Sequence, residues 1–300
     1  MDQTMDQAGK LRDLVKKREA AQPAEPARPL QARVITITSG KGGVGKSNLA
    51  LNMALQMSRL GKKVVVIDAD LGLANIEVLL GLIPRYSFAD VLTGGKTMEE
   101  ALTNGPLDIR FLSGGSGLVS LANVSDKQMG VVLNTFDYLD RVADVIHIDT
   151  GAGIARPVVN FIKASRETIV ITTPEPTSIT DAYAVIKTIK EEKSAMPEFK
   201  IVVNRVDDYR EGIEIFDKLN KVTQRFLQVE LQYLGTIPYD ANLVKSVKKQ
   251  QPVAISYPAS GAAKSIENIS LRLLNAERRQ EKPEGFRTFV NRLVHVFRTN

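Results

Sequence analysis

Nine consecutive residues, Ser39-Gly40-Lys41-Gly42-Gly43-Val44-Gly45-Lys46-Ser47, carry the most specific chemistry in the chain. Gly40, Gly45, Lys46 and Ser47 satisfy G-x-x-x-x-G-K-[ST], with an apolar strand pattern before them and a helical one behind. Glycines let the backbone curl until successive N–H groups face a phosphate. The following helix start adds the positive end of its dipole. In such a loop Lys46 neutralises the β- and γ-phosphates of a nucleotide and Ser47 ligates Mg²⁺. Gly42, Gly43, Val44 and Asn48 complete the expected nucleotide contacts. A glycine-rich turn matching by chance would leave both flanks unexplained.

Carboxylates stand at two further strand ends. Segment 63–70 finishes in Asp68-Ala69-Asp70, and segment 144–149 finishes in Asp149, followed by Thr150-Gly151-Ala152-Gly153. Ligands of open α/β sheets bind beyond the carboxyl ends of strands, so these acids face the right way. An aspartate closing an apolar strand suits Mg²⁺ held through water. Gly151 and Gly153 would let the next loop follow a γ-phosphate. Helix N-caps are the plain alternative for any one of these aspartates.

The elements that must position these groups alternate. Strands are expected at 33–39, 63–70, 109–114, 144–149, 167–173, 199–204 and 232–238, several of them near-continuous β-branched runs. Helical patterns such as NLALNMALQMSRLG and TSITDAYAVIKTIKEEK lie between them. This order predicts an α/β fold with a mostly parallel, twisted sheet and helices on both faces. The 300 residues, 43% hydrophobic, suffice for one large domain. Cysteine is absent, which excludes disulfides, thiolate zinc sites and cysteine-held iron–sulfur clusters. The net charge of +6 permits an anionic partner without requiring one. No signal peptide or spanning helix is legible, so the expected location is cytoplasmic.

The form KGGVGKS resembles the deviant Walker A box of the MinD/ParA family of P-loop ATPases. That resemblance implies ATP and Mg²⁺ as ligands and an ATP-dependent homodimer. Lys41 would be the signature lysine that reaches across the dimer to the partner's nucleotide. Asp70 would orient the attacking water, Asp68 would position the loop and the Mg²⁺ waters, and Asp149 would meet Mg²⁺. The family usually has proline where Gly151 stands, which leaves the stiffness of that loop open. Asn204, Pro238 and Asp240 would hold the purine, with Asn204 on adenine. Asn204-Arg205-Val206-Asp207 also looks like a degenerate N-K-x-D guanine reader, but its lysine is missing and adenine is favoured.

Both ends of the chain look specialised. The expected organisation is residues 1–20 as an activator helix, 21–31 as a Pro/Ala linker, 32–282 as the ATPase domain and 283–300 as an amphipathic helix. On a wheel of roughly 100° per residue, Phe286, Phe289, Val290, Leu293, Val294, Val296 and Phe297 share an arc of about 160°. Arg287, Asn291, Arg292, His295 and Arg298 oppose them, a pattern suited to an anionic membrane surface. Docking of the same face on the domain itself is the competing expectation. At the other end DQAGKLR, together with KGGVGKSN, DADLGLANIEVLLGL and GGSGLVSLA, resembles the FlhG (also called YlxH) family of MinD-like regulators of flagellar number. The resemblance implies that Gln7, Leu11 and Arg12 engage and stimulate FlhF, a signal-recognition-type GTPase. Flagellar basal-body or C-ring proteins would be cargo, and the site of action the inner face of the cell membrane at a pole or flagellar site. A DNA-partitioning ParA role, a division-site MinD role, an ATP-dependent biosynthetic enzyme and a non-hydrolysing scaffold are the alternatives; nucleic acid is disfavoured as a partner. His147 reads as a packed core residue. Lys245-Ser246-Val247-Lys248-Lys249 reads as a solvated helix face.

Overall fold

The computed structural model describes residues 31–70, 75–121, 126–192, 195–276 and 284–299. The activator residues Gln7, Leu11 and Arg12 lie outside the described residues. Eight strands form one sheet: β1 (Arg33–Ser39), β2 (Val64–Ala69), β3 (Thr103–Asn104), β4 (Arg110–Ser113), β5 (Val145–Ala152), β6 (Glu167–Thr172), β7 (Glu198–Val206) and β8 (Gln232–Pro238). Their order is β3-β4-β2-β5-β1-β6-β7-β8, parallel throughout except for the β3–β4 edge pair. After β1 the chain moves outward to β2, and after β5 it crosses back past β1 to β6. The crevice at that reversal is where such sheets bind ligands.

Side-chain alternation explains the layers. Val64 and Val66 of β2 join a core with Ile35, Ile37 and Leu51, whereas Val65, Ile67 and Ala69 join the opposite core with Ile146 and Ile148. Both faces are therefore apolar, as parallel strands require. Helices α1 (Lys46–Arg59) and α2 (Asn75–Leu80) follow β1 and β2, and short helices α3 (Phe88–Leu92), α4 (Met98–Ala101) and α5 (Gly115–Ser120) frame β3 and β4. Then come α6 (Asp126–Val142), α7 (Arg156–Ala164), α8 (Pro176–Glu191), α9 (Tyr209–Leu227), α10 (Ala241–Lys248), α11 (Val253–Ser256) and α12 (Gly261–Ala276). The last is α13 (Phe286–Thr299).

The strand β5 runs three residues beyond the expected end at Asp149, because Thr150 pairs with Ala69 and Ala152 with Ser39. Gly151 thus lies in the strand, and only Gly153 takes a left-handed φ, of 88°. The expected mobile loop begins later than the sequence pattern implies. At the opposite end of the sheet, Glu167 accepts from Arg33 through both oxygens at 2.7 Å and from Lys200 at 2.8 Å. This buried trio ties β1, β6 and β7 together.

His147 of β5 is fully buried, with Nδ1 3.0 Å from the carbonyl of Ala50. Burial pushes its pKa down from 6.5 to about 4, against the smaller upward pull of the Ala50 contact. Below pH 6.5 the unfolded chain therefore takes up a proton that the folded chain refuses until about pH 4. Stability falls as pH drops through that window. By pH 5 the loss from this group is about 2 kcal/mol. Asp68, pushed up to about 7, contributes in the opposite sense over the same range, so the His147 effect is read as a difference. In urea unfolding His147→Asn should lose less stability than the native chain, or gain more, between pH 7 and pH 5; equal changes in the two would contradict it.

Candidate functional site

The loop between β1 and α1 lies at the crevice, and its close packing explains its glycines. A Cβ on Gly40 would sit 2.2 Å from the Asp181 carbonyl carbon of α8. Gly45 has φ 101°, and a Cβ there would meet Asn204 Nδ2 at 2.5 Å. Gly42 and Gly43 are exposed at the loop's crest, and Val44 is buried beneath it. Asn48 is half-buried in the first turn of α1, where its carbonyl accepts from Asn52 Nδ2.

Lys46 is buried, with Nζ 2.8 Å from Asp149 Oδ1 and 3.4 Å from Ser47 Oγ. Asp68 and Asp149 are register partners on adjacent strands, so their carboxyls share one wall of the site. Burial first, and then the charge of Asp149, pushes Asp68 up to about 7. Asp68 accepts from the backbone N–H of Asp70 and of Ile76, both at 3.1 Å. Those bonds hold the start of α2 against the site. Asp149 is also pushed upward, by burial, with Lys46 opposing. Asp70 lies just beyond β2, and its Oδ2 accepts from Asn75 Nδ2 at 3.2 Å.

Three observations test the fit of a magnesium ion. Two buried carboxylates stand side by side in register, the Lys46 ammonium bonds one of them, Asp149, and the hydroxyl of Ser47 adjoins Asp149. Asp149 Oδ2 is buried without a hydrogen-bond partner. No cluster of three or more His, Cys, Asp or Glu able to hold a metal occurs among the described residues. Hard oxygen donors, surplus negative charge and an incomplete protein shell suit Mg²⁺, which keeps waters and phosphate oxygens as its other ligands.

Lys41 is placed differently from Lys46. Its Nζ is 2.7 Å from Glu175 Oε2 and 3.1 Å from Thr177 Oγ1, at the rim of the crevice. The side chain is 41% exposed. Glu175, in the β6–α8 connection, carries a lowered pKa through that hydrogen bond and the lysine charge. Glu175 and Thr177 belong to none of the site motifs above. Their signal was an acid between two prolines directly after a strand that pairs with β1.

The expected purine residues are tied into the scaffold. Asn204 Nδ2 donates to Val44 O at 2.7 Å, and its Oδ1 accepts from Arg205 N at 2.9 Å. Asp240 accepts from Asn242 N at 2.8 Å and from Ala262 N at 3.0 Å, joining the starts of α10 and α12. Burial works to raise its pKa, but those backbone donors outweigh it and the pKa is lowered. Pro238 ends β8 beside Gly261.

The expected membrane residues lie inward. Phe286, Val290 and Leu293 are fully buried, Phe289 and Val294 nearly so, and Phe297 packs against the same core. Phe286 meets Phe136 edge-on at 5.1 Å. Asp140 accepts from Phe286 N at 2.7 Å and from Arg287 N at 3.1 Å, capping α13. Arg287, Asn291, His295 and Arg298 face outward. No helix among the described residues is long and apolar enough to cross a membrane.

A phosphate loop at the sheet's reversal, a buried lysine, two in-register carboxylates and a second lysine at the rim define a P-loop nucleotide site. Residues 35–253 match the CobQ/CobB/MinD/ParA nucleotide binding domain, and the chain belongs to this family, as an ATPase of its MinD/ParA type. Within it, the chain is 41% identical over 263 residues to the antiactivator FleN of Pseudomonas aeruginosa, covering 87% of this chain and 93% of that one. It is 33% identical to the flagellum site-determining protein YlxH of Helicobacter pylori, over 87% and 90% of the two chains. Among solved structures it is similar to the MinC:MinD cell division protein complex of Aquifex aeolicus, with a TM-score of 0.62, 28% identity, and coverage of 81% and 96%.

Proposed function

We propose that the chain is an ATP-driven dimerisation switch that regulates flagellum number and placement. The observation that carries the switch is the position of Lys41. The loop's own phosphate lysine is Lys46, buried beside Asp149, while Lys41 stands at the rim with an exposed ammonium. A cation held there by an exposed pair with Glu175 can exchange that partner for a second copy's phosphate, stabilising phosphate charge only when two chains meet. With ATP and Mg²⁺ bound, Lys46, now paired with Asp149, would turn its ammonium to the phosphate oxygens. Ser47 would hold the metal, with Asp149 and Asp68 beside it on the strand ends, and the bound Mg²⁺ would supply charge neutralisation at the phosphates. Asp70 orients the attacking water. Gly42, Gly43, Val44, Gly45 and Asn48 surround the phosphates, and Asn204, Pro238 and Asp240 frame the adenine, Asn204 through its remaining amide hydrogen.

The flagellar reading rests on similarity to FleN, named an antiactivator, and YlxH, named a flagellum site-determining protein. On this reading residues 1–20, through Gln7, Leu11 and Arg12, stimulate the GTPase FlhF, and basal-body or C-ring proteins are cargo. Membrane contact through Phe286, Phe289, Val290, Leu293 and Phe297 requires α13 to leave its groove. Its outward basic face suits an anionic surface, and two released helices in a dimer gain avidity. The location is then cytoplasmic, peripheral at the inner face of the cell membrane.

Hydrolysis and assembly separate at Asp70. Asp70→Ala should lose at least about a hundredfold in turnover, since positioning of the water supplies much of the catalysis, yet still form the ATP dimer. Phosphate release and particle mass measured on the same sample check this. Turnover at the native rate would remove Asp70 from the mechanism.

A further inference from the structure

Two residues outside the phosphate loop hold two successive loop carbonyls. Asn204 Nδ2 donates to Val44 O, and Arg205 Nη2 donates to Gly43 O, each at 2.7 Å. The pair is itself locked, because Arg205 N donates to Asn204 Oδ1 at 2.9 Å. Arg205 achieves this reach from a left-handed backbone, φ 60°, which residues other than glycine adopt at a cost. The register between β7 and β8 shifts here, between Asn204 and Val206.

The consequence follows from peptide planarity. The carbonyl of Gly43 shares its plane with the N–H of Val44, and that of Val44 with the N–H of Gly45. In a trans peptide the two groups point in opposite directions. Holding both carbonyls toward the end of β7 aims both N–H groups away from it, into the loop. Gly43 and Gly45, at φ 77° and 101°, supply the left-handed turns on either side of Val44 that an anion-binding nest needs.

We propose that Arg205 is a positioning residue that presets the phosphate nest from outside, acting through the Gly43 carbonyl. With both carbonyls held, the loop's donors are fixed in orientation by the protein itself, so less ordering is left for the ligand to accomplish. This role concerns binding of the phosphates shared by ADP and ATP and does not depend on dimerisation.

The test uses the full chain and Mg·ADP, whose binding is measured by calorimetry, with ATP turnover and thermal melting alongside. Arg205→Gly should weaken Mg·ADP binding about five- to tenfold, the upper part of the range for one ordinary hydrogen bond, because the lost contact is exposed and acts on the ligand only through the loop. It should raise KM for ATP similarly and leave kcat within about twofold, because saturating nucleotide orders the loop itself. Its melting temperature should hold or rise, since glycine accepts φ near 60° without strain. Arg205→Lys, which keeps a donor of similar reach, should recover part of the affinity. The deficit should persist in high salt, because a lost loop contact is not screened whereas lost long-range attraction is. Unchanged ADP affinity, a deficit confined to kcat, a deficit abolished by salt, or one accompanied by a fall in melting temperature would each overturn the proposal.

Discussion

Lys41→Ala should fold normally, bind Mg·ATP as a monomer, and lose at least about a hundredfold in ATP turnover together with the ATP-dependent dimer. The fold is spared because the lost Lys41–Glu175 pair is exposed, where water and salt screen it and little stability rests on it. Binding is spared because Lys46, Ser47 and the loop amides serve the bound phosphates. Turnover is not spared, since a cation supplied in trans to a phosphoryl group in transfer contributes about 10³–10⁵ in rate in related chemistry. Steady-state phosphate release and light scattering with ATP and Mg²⁺ check both halves. A variant that still dimerises and hydrolyses at the native rate would leave Lys41 as a surface residue bonded to Glu175.

Phe286→Ala should lower the melting temperature by roughly 10 °C and raise lipid binding without ATP. Phe286 is fully buried, edge-on to Phe136 and stacked with Phe289. Truncating a buried phenylalanine costs about 3–5 kcal/mol, and in a domain of this size each kcal/mol is about 2–4 °C. The cavity lies in the contact between α13 and the domain, so the cost falls on docking first. Undocking frees the apolar face for an anionic vesicle. Co-sedimentation with vesicles rich in anionic lipid, with ADP, should therefore show more bound variant than native chain. Deleting residues 284–300 should abolish the binding and expose the core around Phe136 and Phe161. A lower melting temperature with unchanged lipid binding would make α13 a purely structural helix.

The framework was legible because parallel strands buried on both faces must be apolar runs, and β1, β2 and β5–β8 are. The loop was legible because phosphate binding needs glycine and lysine at fixed spacing. Four things were not. The strand β3 is two residues long, too short for any period to register, and is held by pairing with β4. The run of β5 to Ala152 depends on pairing with Ser39, a contact between distant segments. The amphipathic pattern of residues 286–297 gave the helix and its two faces correctly. It could not say what covers the apolar face, since a membrane and a protein groove ask for the same residues. Likewise Asn204 at a strand end reads as a ligand contact from sequence alone, and only the fold brings its amide to Val44.

The central claim is that a terminal phosphate joins two copies of this chain. Its most direct measurement is particle mass by light scattering, comparing Mg·ADP with Mg²⁺ and a non-hydrolysable ATP analogue. A rise from 32.9 kDa to twice that value with the analogue alone is the expected result. The same mass in both nucleotides would contradict it.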